Sequence, residues 1–397
     1  MRDKKGMYFF FLWFGAAVSV AEIMAGAFLG PLGMKKGLAV IIIGHLIGCL
    51  ILGLAGIIGQ EKDMTAMETL SLSFGVYGKY IFSVLNFIQL VGWTSIMLIT
   101  ASNGINQIFK SLFGYENFYL WVLIIAAIVY LWAEYSSFRY PKLNYISVVL
   151  LIILSLTMFY ILINSKSNNV LSNEHISFGS GLELSIVMPI SWLPLISDYT
   201  KHSENKISSF LGSFFGYFIA SSFMYILGLL CAIKFNEIDI VNILVKGNFG
   251  IGALLIVVLS TVTTTFLDVY SAATTIFNIK RLNKKYVTLL IVGISIIFAL
   301  FFKMEQYENF LYLIGAVFSP LFAVVLSDYF LLKNVNGKVD YFISFISFII
   351  GFGFYILIKE NGTFFGVTIP VMLLTALVSL MLKKLGGVIY GNVKQSM

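Results

Sequence analysis

The sequence is poor in charge. Only 11% of its 397 residues are Asp, Glu, Lys or Arg, whereas 59% are hydrophobic and the mean hydropathy is +0.93. A soluble protein carries about 25% charged residues. Runs of roughly 20 apolar residues recur along the whole chain, and each is long enough to cross a bilayer. The composition therefore excludes a soluble globular protein and predicts a multi-pass membrane protein embedded in a lipid bilayer.

Residues that build reactive centres are also scarce. The two cysteines, Cys49 and Cys231, lie in apolar runs, which excludes a disulfide framework and a zinc site. The three histidines share no metal-binding spacing, and His45, alone among apolar residues, is interpreted as a packed helix residue. Because neither a nucleophile–base pair nor a metal cluster is found, we predict that the protein is not an enzyme and has no organic cofactor.

Twelve segments are predicted to cross the membrane: 8–33, 37–59, 80–107, 118–133, 143–163, 183–199, 208–233, 250–277, 286–302, 309–332, 341–358 and 363–382. With a cytoplasmic N-terminus, 18 of the 26 Lys and Arg residues fall in cytoplasmic segments. This excess follows the positive-inside rule and predicts that both termini are cytoplasmic. The net charge of +7 therefore reflects topology, and we expect neither a nucleic-acid partner nor an obligate protein partner.

Two of these segments contain features that interrupt a helix. The first has Gly15, Ser19, Glu22 and Gly26 before the sequence GPLG, and the sixth has two prolines in ELSIVMPISWLPLISDYT. Proline removes a backbone hydrogen bond, which lipid tolerates only where the backbone lines a protected cavity. The two segments are five spans apart, so a five-span repeat would be inverted relative to its copy, and paired broken helices mark a transporter's central site.

This pattern predicts an all-α membrane protein with twelve transmembrane helices. The first five-helix repeat would occupy 1–163 and the inverted repeat 183–332, followed by two accessory helices over 341–382 and a cytoplasmic tail over 383–397. The loops 60–79 and 234–248 are each long enough for a short helix. The polar faces converge on spans 1, 3, 6 and 8 instead of forming a continuous pore, which argues against a channel.

Two acids lie inside apolar spans without a basic partner. Glu22 falls near the middle of span 1 and Asp268 lies well inside span 8, while the twelve spans contain no Lys or Arg. An ionised carboxylate at the centre of a membrane helix costs about 2.5–3.5 kcal/mol. We expect these acids to be protonated, to accept hydrogen bonds, or to face a cation or a donor-rich ligand in a wet cavity.

Spans 3 and 8 each carry a polar helical face. In span 8, Thr264 and Asp268 share one face with Thr263 beside it, and hydroxyl oxygens suit hard cations. In span 3, Gln89 and Trp93 lie on one face and could grip the edge and the plane of a flat heterocycle. The alternative for the threonines is packing, with each hydroxyl bonded to a backbone carbonyl one turn earlier.

Three stretches resemble the nucleobase:cation symporter-1 family, whose fold is the inverted-repeat (LeuT-like) transporter fold. They are TTTFLDVYSAA (263–273), ISWLPLISDYT (190–200) and IQLVGW (88–93), and WFGAAVSVAEIMAG (13–26) is similar to the family's first span. The resemblance implies Na⁺ as the coupling ion, with H⁺ as the alternative. The implied Na⁺ ligands are Gly15, Val18, Thr263 and Thr264. The implied substrate-binding residues are Ser19, Glu22, Gln89, Trp93, Ser191, Trp192 and Asp268.

The substrate expectation follows from the same resemblance. The pattern is similar to the hydroxymethylpyrimidine permease subgroup, which implies import of 4-amino-5-hydroxymethyl-2-methylpyrimidine, a thiamin precursor, by alternating access. A carboxylate, Glu22 or Asp268, could accept from the exocyclic amine, and a protonated ring nitrogen would add a second, charge-assisted bond. The alternatives are cytosine or another nucleobase, and a cationic amine. High Lys, Asn, Ile and Phe usage indicates an AT-rich bacterium, and we expect the protein in the cytoplasmic membrane of such a cell.

Overall fold

The computed structural model is helical along almost its whole described length. It describes residues 3–135, 141–164, 176–235, 251–280, 282–301, 306–333, 337–360 and 362–395. Each of the twelve predicted spans overlaps a helix. In chain order the α-helices of the described residues are α1 Gly6–Ala17, α2 Val20–Ala27, α3 Gly33–Lys62, α4 Ala66–Thr69, α5 Ser71–Phe113, α6 Phe118–Tyr135, α7 Pro141–Asn164, α8 Phe178–Ile190, α9 Leu193–Thr200, α10 Lys206–Phe235, α11 Ile251–Phe277, α12 Lys284–Phe301, α13 Tyr307–Ser327, α14 Lys338–Ile358 and α15 Thr368–Gln395.

The length and hydropathy of these helices fit a membrane protein. Within the ranges given above, eight helices are long and apolar enough to cross a bilayer, or nine if the bent pair α1–α2 forms one span. Two shorter apolar helices cover Phe118–Glu134 and Val148–Asn164. The count of twelve spans stays a prediction.

The first span is broken, as the sequence predicts. Helices α1 and α2 meet at an angle of 60° across Val18 and Ser19. Ser19 has an extended backbone, and its hydroxyl accepts the Glu22 N–H at 3.3 Å, so it caps α2. The break places free backbone groups and a helix N-terminus in the middle of the bundle.

The sixth span is interrupted more mildly. Helix α8 ends at Ile190 and α9 begins at Leu193, but the two halves continue as one 23-residue span, Phe178–Thr200. The Ser191 hydroxyl donates to the Met188 carbonyl at 2.6 Å, which supplies a bond in the turn next to Pro189. Pro194 lies in the first turn of α9, where its missing N–H has no helical partner to lose.

Close contacts between small residues join the broken span to α10. A Cβ added at Gly228 would lie 1.9 Å from the Ile23 carbonyl oxygen, and one at Gly26 would lie 2.2 Å from the Tyr225 carbonyl oxygen. Only glycine permits this approach, which is how membrane helices pack without a hydrophobic driving force. Helix α10 therefore supports α2, the half of span 1 that carries Glu22.

The last helix extends beyond the end predicted for it. Helix α15 continues to Gln395, so the segment 383–397, predicted as a tail, is helical through Gln395. Its first residue, Lys383, is 3% exposed and forms an ion pair with Asp328, which follows α13. The Lys383 ammonium donates to both Asp328 oxygens, at 2.7 and 2.6 Å, and to Ser344 Oγ at 2.7 Å. A lysine at the edge of the predicted span is thus buried because all three of its protons have acceptors.

Of the two loops predicted to hold a short helix, one is described. The 60–79 loop contains α4, which begins with a capping box between Thr65 and Glu68. The Asp198 carboxylate at the end of span 6 accepts the Ala66 N–H at 2.9 Å, so this loop is attached to α9. Most of the 234–248 loop lies outside the described residues.

Candidate functional site

A small cavity lies where the two broken spans meet α5 and α11. Its volume is about 20 Å³, which is room for one water molecule. The residues lining it are Ala16, Ser19, Ala21, Glu22, Trp93, Met97, Met188, Trp192, Thr264 and Asp268. By comparison, a cavity that binds benzene measures about 150 Å³. This arrangement is therefore closed, and a ring-sized ligand can enter only if helices move apart.

The cavity brings together most residues predicted to bind substrate. Ser19, Glu22, Trp93, Trp192 and Asp268 all line it. The other two predicted residues, Gln89 and Ser191, lie behind the lining and contact each other. The Gln89 amide donates to the Ser191 carbonyl at 2.9 Å, and the Gln89 Oε1 atom is buried without a partner. Gln89 thus holds the turn in span 6 through its amide nitrogen, and its carbonyl oxygen Oε1 remains available as an acceptor.

Asp268 is the unsatisfied acid of this site. It is 3% exposed, and among the described residues its carboxylate has neither a hydrogen-bond partner nor an ion-pair partner. Buried carboxylates are normally paired or hydrogen-bonded, because leaving them bare is costly. An acid that faces a cavity with both oxygens free is arranged to receive donors from a ligand.

Glu22, in contrast, is fully engaged by α10. The Tyr217 hydroxyl donates to Oε1 at 2.5 Å, and Ser221 Oγ lies 2.7 Å from Oε2. Tyr217 in turn accepts the Trp192 indole N–H at 2.7 Å. Glu22 therefore links the cavity wall formed by Trp192 to helix α10.

Both tryptophans line the cavity, and each is held by neighbouring aromatic rings. Trp93 packs edge-to-face against Phe310 and Tyr307, with ring centroids 5.4 and 6.0 Å apart. Trp192 packs edge-to-face against Trp13 at 5.5 Å. Such contacts hold aromatic rings in defined orientations. The indole planes are thus held at the cavity surface, where a flat ligand could stack.

Of the threonines predicted to bind Na⁺, the structure places Thr264 against the end of α1, beside the break in span 1, whereas Thr263 bonds within its own helix. The Thr264 hydroxyl donates to the Ala16 carbonyl at 3.0 Å, so span 8 touches the end of α1. The Thr263 hydroxyl bonds to the Leu259 carbonyl at 2.8 Å, one turn earlier in its own helix. The Ser19 N–H turns to the Ala17 carbonyl at 2.9 Å, away from the carbonyl of Gly15. Carbonyl and hydroxyl oxygens thus meet here, as a hard cation requires, and the ligand set, including Val18, stays a prediction.

Several residues around the site carried no signal in the sequence. Tyr217 and Ser221 lie in span 7, which has the ordinary composition of a membrane helix, and yet both contact Glu22. His45, interpreted as a packed residue, is fully buried and its Nε2 lies 2.6 Å from Ser221 Oγ. The lone histidine was the one available hint, since buried histidines have hydrogen-bond partners.

The end of the bundle beyond the cavity is sealed by side chains. Tyr199 donates to the Leu267 carbonyl at 3.1 Å, and Asn278 donates to Thr65 Oγ1 at 2.9 Å. Asp198 binds α4, as described above. These contacts join α9, α11 and the 60–79 loop on the side predicted to be cytoplasmic, so the cavity is closed in that direction.

A family model for permeases of cytosine/purines, uracil, thiamine and allantoin matches residues 1–394. The chain belongs to this family. It is the nucleobase:cation symporter-1 family that the motifs resemble, and its members are permeases and not enzymes, as the sequence predicts. Among the described residues, no group of three or more His, Cys, Asp or Glu side chains could hold a metal ion.

Solved structures of transporters share the fold of this nucleobase:cation symporter-1 family member. Mhp1 in a closed conformation with bromovinylhydantoin aligns with a TM-score of 0.80 and 15% identity, covering 96% of this chain and 92% of Mhp1. Inward-facing Mhp1 gives a TM-score of 0.79 with 15% identity over 97% and 91%. A Na⁺-coupled sialic acid symporter gives 0.70 with 12% identity over 96% and 89%. These matches confirm the predicted LeuT-like fold.

A curated relative that matches this chain is a longer protein. The vitamin B6 transporter TPN1 of Saccharomyces cerevisiae is 25% identical over 288 residues, which cover 65% of this chain and 49% of the yeast protein. The chain thus spans about half the length of the curated relatives that it matches.

Proposed function

We propose that this protein is a secondary active transporter that imports an aminopyrimidine, with 4-amino-5-hydroxymethyl-2-methylpyrimidine as the first candidate. The observation that carries the proposal is the bare carboxylate of Asp268 facing a cavity walled by Trp93 and Trp192. A flat ring with an amine beside a basic ring nitrogen complements all three groups. The family's description includes cytosine and thiamine, and a relative transports vitamin B6, so nitrogen heterocycles are a common cargo of these proteins.

The contacts of Glu22 and Asp268 indicate which of the two acids binds the substrate. Both oxygens of Glu22 already have hydrogen-bond partners, whereas those of Asp268 have none among the described residues. We therefore assign the amine contact to Asp268, with stacking on the indoles. The free Oε1 of Gln89 lies behind the lining and would accept a further hydrogen bond only after the cavity opens. The ligand would supply the hydrogen-bond donors that the protein itself does not provide to these acceptors. This favours a donor-rich substrate over an apolar one.

Coupling would operate at the junction of Thr264 and Ala16. A Na⁺ ion held there would tie α11 to the broken span 1 and preorganise the pocket. Because linkage is reciprocal, the substrate raises Na⁺ affinity by the factor by which Na⁺ raises substrate affinity. Alternating access then requires that the closed cavity open to one side at a time.

The second candidate substrate is cytosine or another nucleobase. The family's description favours it, and cytosine also presents an amine beside a ring nitrogen. A cationic amine would satisfy Asp268 but would leave the indole walls without a flat partner. These candidates are distinguished by binding affinity.

The test is a thermal-shift and binding screen of the purified protein. Hydroxymethyl-aminopyrimidine, cytosine, adenine and a linear amine are each titrated in NaCl and in choline chloride at fixed pH. We expect the hydroxymethyl-aminopyrimidine to bind most tightly, and only in Na⁺. Equal binding in choline would refute sodium coupling, and preference for the amine would refute the aromatic substrate.

A matched pair of variants locates the pocket. Trp93→Ala removes a cavity wall, whereas Trp121→Ala removes a buried tryptophan that packs on Phe109 at 4.3 Å and does not line the cavity. We expect Trp93→Ala to lose binding, since stacking on an aromatic side chain is worth about 1–3 kcal/mol per base. Trp121→Ala should keep the affinity of the unmodified protein. An unaffected Trp93→Ala would show that the substrate binds elsewhere.

A further inference from the structure

A buried hydrogen-bond chain leads away from the cavity through Glu22. Glu22 Oε2 lies 2.7 Å from Ser221 Oγ, and Ser221 Oγ lies 2.6 Å from His45 Nε2. The other ring nitrogen, His45 Nδ1, lies 2.9 Å from the Ile41 carbonyl oxygen. Glu22 is 2% exposed, His45 is 0% exposed, and Ser221 is 0% exposed. The chain therefore connects three helices, α2, α10 and α3, out of contact with solvent.

The protons in this chain can be counted. A carbonyl oxygen only accepts, so the Ile41 contact requires a hydrogen on His45 Nδ1. A neutral imidazole then has a bare lone pair on Nε2, and the Ser221 hydroxyl has a single hydrogen. If Glu22 were ionised at the same time, one serine hydrogen would have to serve two acceptors. Either the 2.6 Å or the 2.7 Å contact would then place lone pair against lone pair.

One additional proton resolves the conflict. If it sits on Glu22, the acid donates to Ser221, and Ser221 donates to His45. If it sits on His45, the imidazolium donates to Ser221, and Ser221 donates to the carboxylate. The two forms differ by the shift of one hydrogen along each contact, and both carry no net charge. Each leaves every short contact with one donor and one acceptor.

We infer that Glu22, Ser221 and His45 together form a site that binds one exchangeable proton when the cavity is closed. The ligand is the proton itself, held at the wall of the substrate cavity. Its link to transport rests on the proposed function, whereas the proton count rests on the hydrogen-bond geometry alone.

The surroundings contain no charge that could replace this proton. From α10, Tyr217 donates to Glu22 and Tyr225 packs edge-on against His45 with ring centroids 4.5 Å apart. Cys49 on α3 is buried nearby, and from α13 the Tyr307 hydroxyl donates to the Ala21 carbonyl at 3.4 Å. From α11, Asp268 lines the same cavity, and an acid can only add negative charge there. In the described part of the chain, Glu22 forms no ion pair. A bare charge is costly at this depth, so neutrality depends on the bound proton.

The site also explains how a proton could act on the pocket. Glu22 is in α2, beside the break in span 1, and Tyr217 connects it to the wall residue Trp192. Loss of the proton would set acceptor against acceptor between α2, α10 and α3 and so oppose the closed arrangement. Closure around a substrate would therefore require the proton, and substrate affinity should fall as pH rises through the range where the site releases it.

The first experiment detects the proton without substrate. The purified protein is studied by infrared difference spectroscopy across a pH titration and by ¹⁵N NMR of its three histidines. We expect either a buried carboxylic-acid band that disappears in Glu22→Gln, or an imidazolium that disappears in His45→Gln. Glu183→Gln and His202→Gln are the matched controls and should keep the signal. A neutral His45 beside an ionised Glu22 throughout the titration would overturn the inference.

The second experiment links the proton to substrate. Glu22→Gln mimics the protonated acid, because its amide can donate to Ser221 in the same direction. In the unmodified protein, affinity for the aminopyrimidine should fall up to tenfold per pH unit as one proton is lost. Glu22→Gln should lose this part of the pH dependence and keep only the part that Asp268 and the ring nitrogen of the ligand contribute. Equal pH dependence in both proteins would refute the link. Failure of every pyrimidine to bind would instead refute the proposed function and leave the spectroscopic result standing.

Discussion

Replacing Asp268 by asparagine should change stability and substrate binding in opposite directions. The carboxylate is 3% exposed and has no partner among the described residues, so the free protein bears the cost of a bare acid. The insertion cost of an aspartate at a helix centre, about 2.5–3.5 kcal/mol, sets an upper limit on this burden. An amide of the same shape carries no charge. The free Asp268→Asn protein should therefore unfold at a higher temperature than the unmodified protein.

Binding should suffer because the substrate loses a charged acceptor. A hydrogen bond to a charged group contributes about 1.5–3 kcal/mol, and each 1.4 kcal/mol corresponds to a factor of ten in affinity. The aminopyrimidine should therefore bind about 10- to 150-fold more weakly, and most weakly if it binds with a protonated ring nitrogen. The assay is equilibrium binding by tryptophan fluorescence, combined with thermal unfolding of the ligand-free protein.

A second buried acid provides the control for this substitution. Glu183 accepts four hydrogen bonds, from the Tyr355 hydroxyl, the Val367 and Thr368 N–H groups and the Thr368 hydroxyl, each at 2.7 Å. It lies outside the cavity, so Glu183→Gln should lower stability and leave affinity unchanged. If Asp268→Asn also lowered stability, Asp268 would be a structural residue. If it left affinity unchanged, the cavity would not be the substrate site.

Two further predictions concern the ion site and the C-terminal helix. Thr264→Ala removes the hydroxyl that donates to the Ala16 carbonyl, so the Na⁺ concentration needed for half-maximal substrate binding should rise about tenfold or more. Thr263→Ala, which removes a hydroxyl bonded within its own helix, should have a smaller effect. Equal effects of the two variants in a Na⁺ titration would argue against this assignment. Lys383→Met leaves the Asp328 carboxylate buried without its cation, so the free energy of unfolding should fall by about 3–5 kcal/mol. Adding Asp328→Asn should restore much of it, and a double-mutant cycle with no coupling energy would refute the pair.

The identity of the family and the rough course of the chain could be predicted from the sequence. Apolar runs of membrane length located the helices, because in lipid every backbone group must be satisfied within its own helix. An interruption of span 1 was predicted from local composition, and the structure located it at Val18 and Ser19. The approach of Glu22, Trp93 and Asp268 to a single cavity followed from the resemblance and the helical periodicity together.

The tertiary structure determined which acid already has hydrogen-bond partners, Glu22, and which has none among the described residues, Asp268. Glu22 meets Tyr217 and Ser221 across sequence separations of 195 and 199 residues, and His45 meets Ser221 across 176. No local pattern encodes such pairs, since each helix satisfies its own backbone and leaves its side-chain partners to packing. For the same reason the sequence placed Lys383 outside the last span, although burial beside Asp328 is stable once three acceptors surround its ammonium group. Sequence determines where helices form, and the packing of the helices against one another determines which polar groups meet.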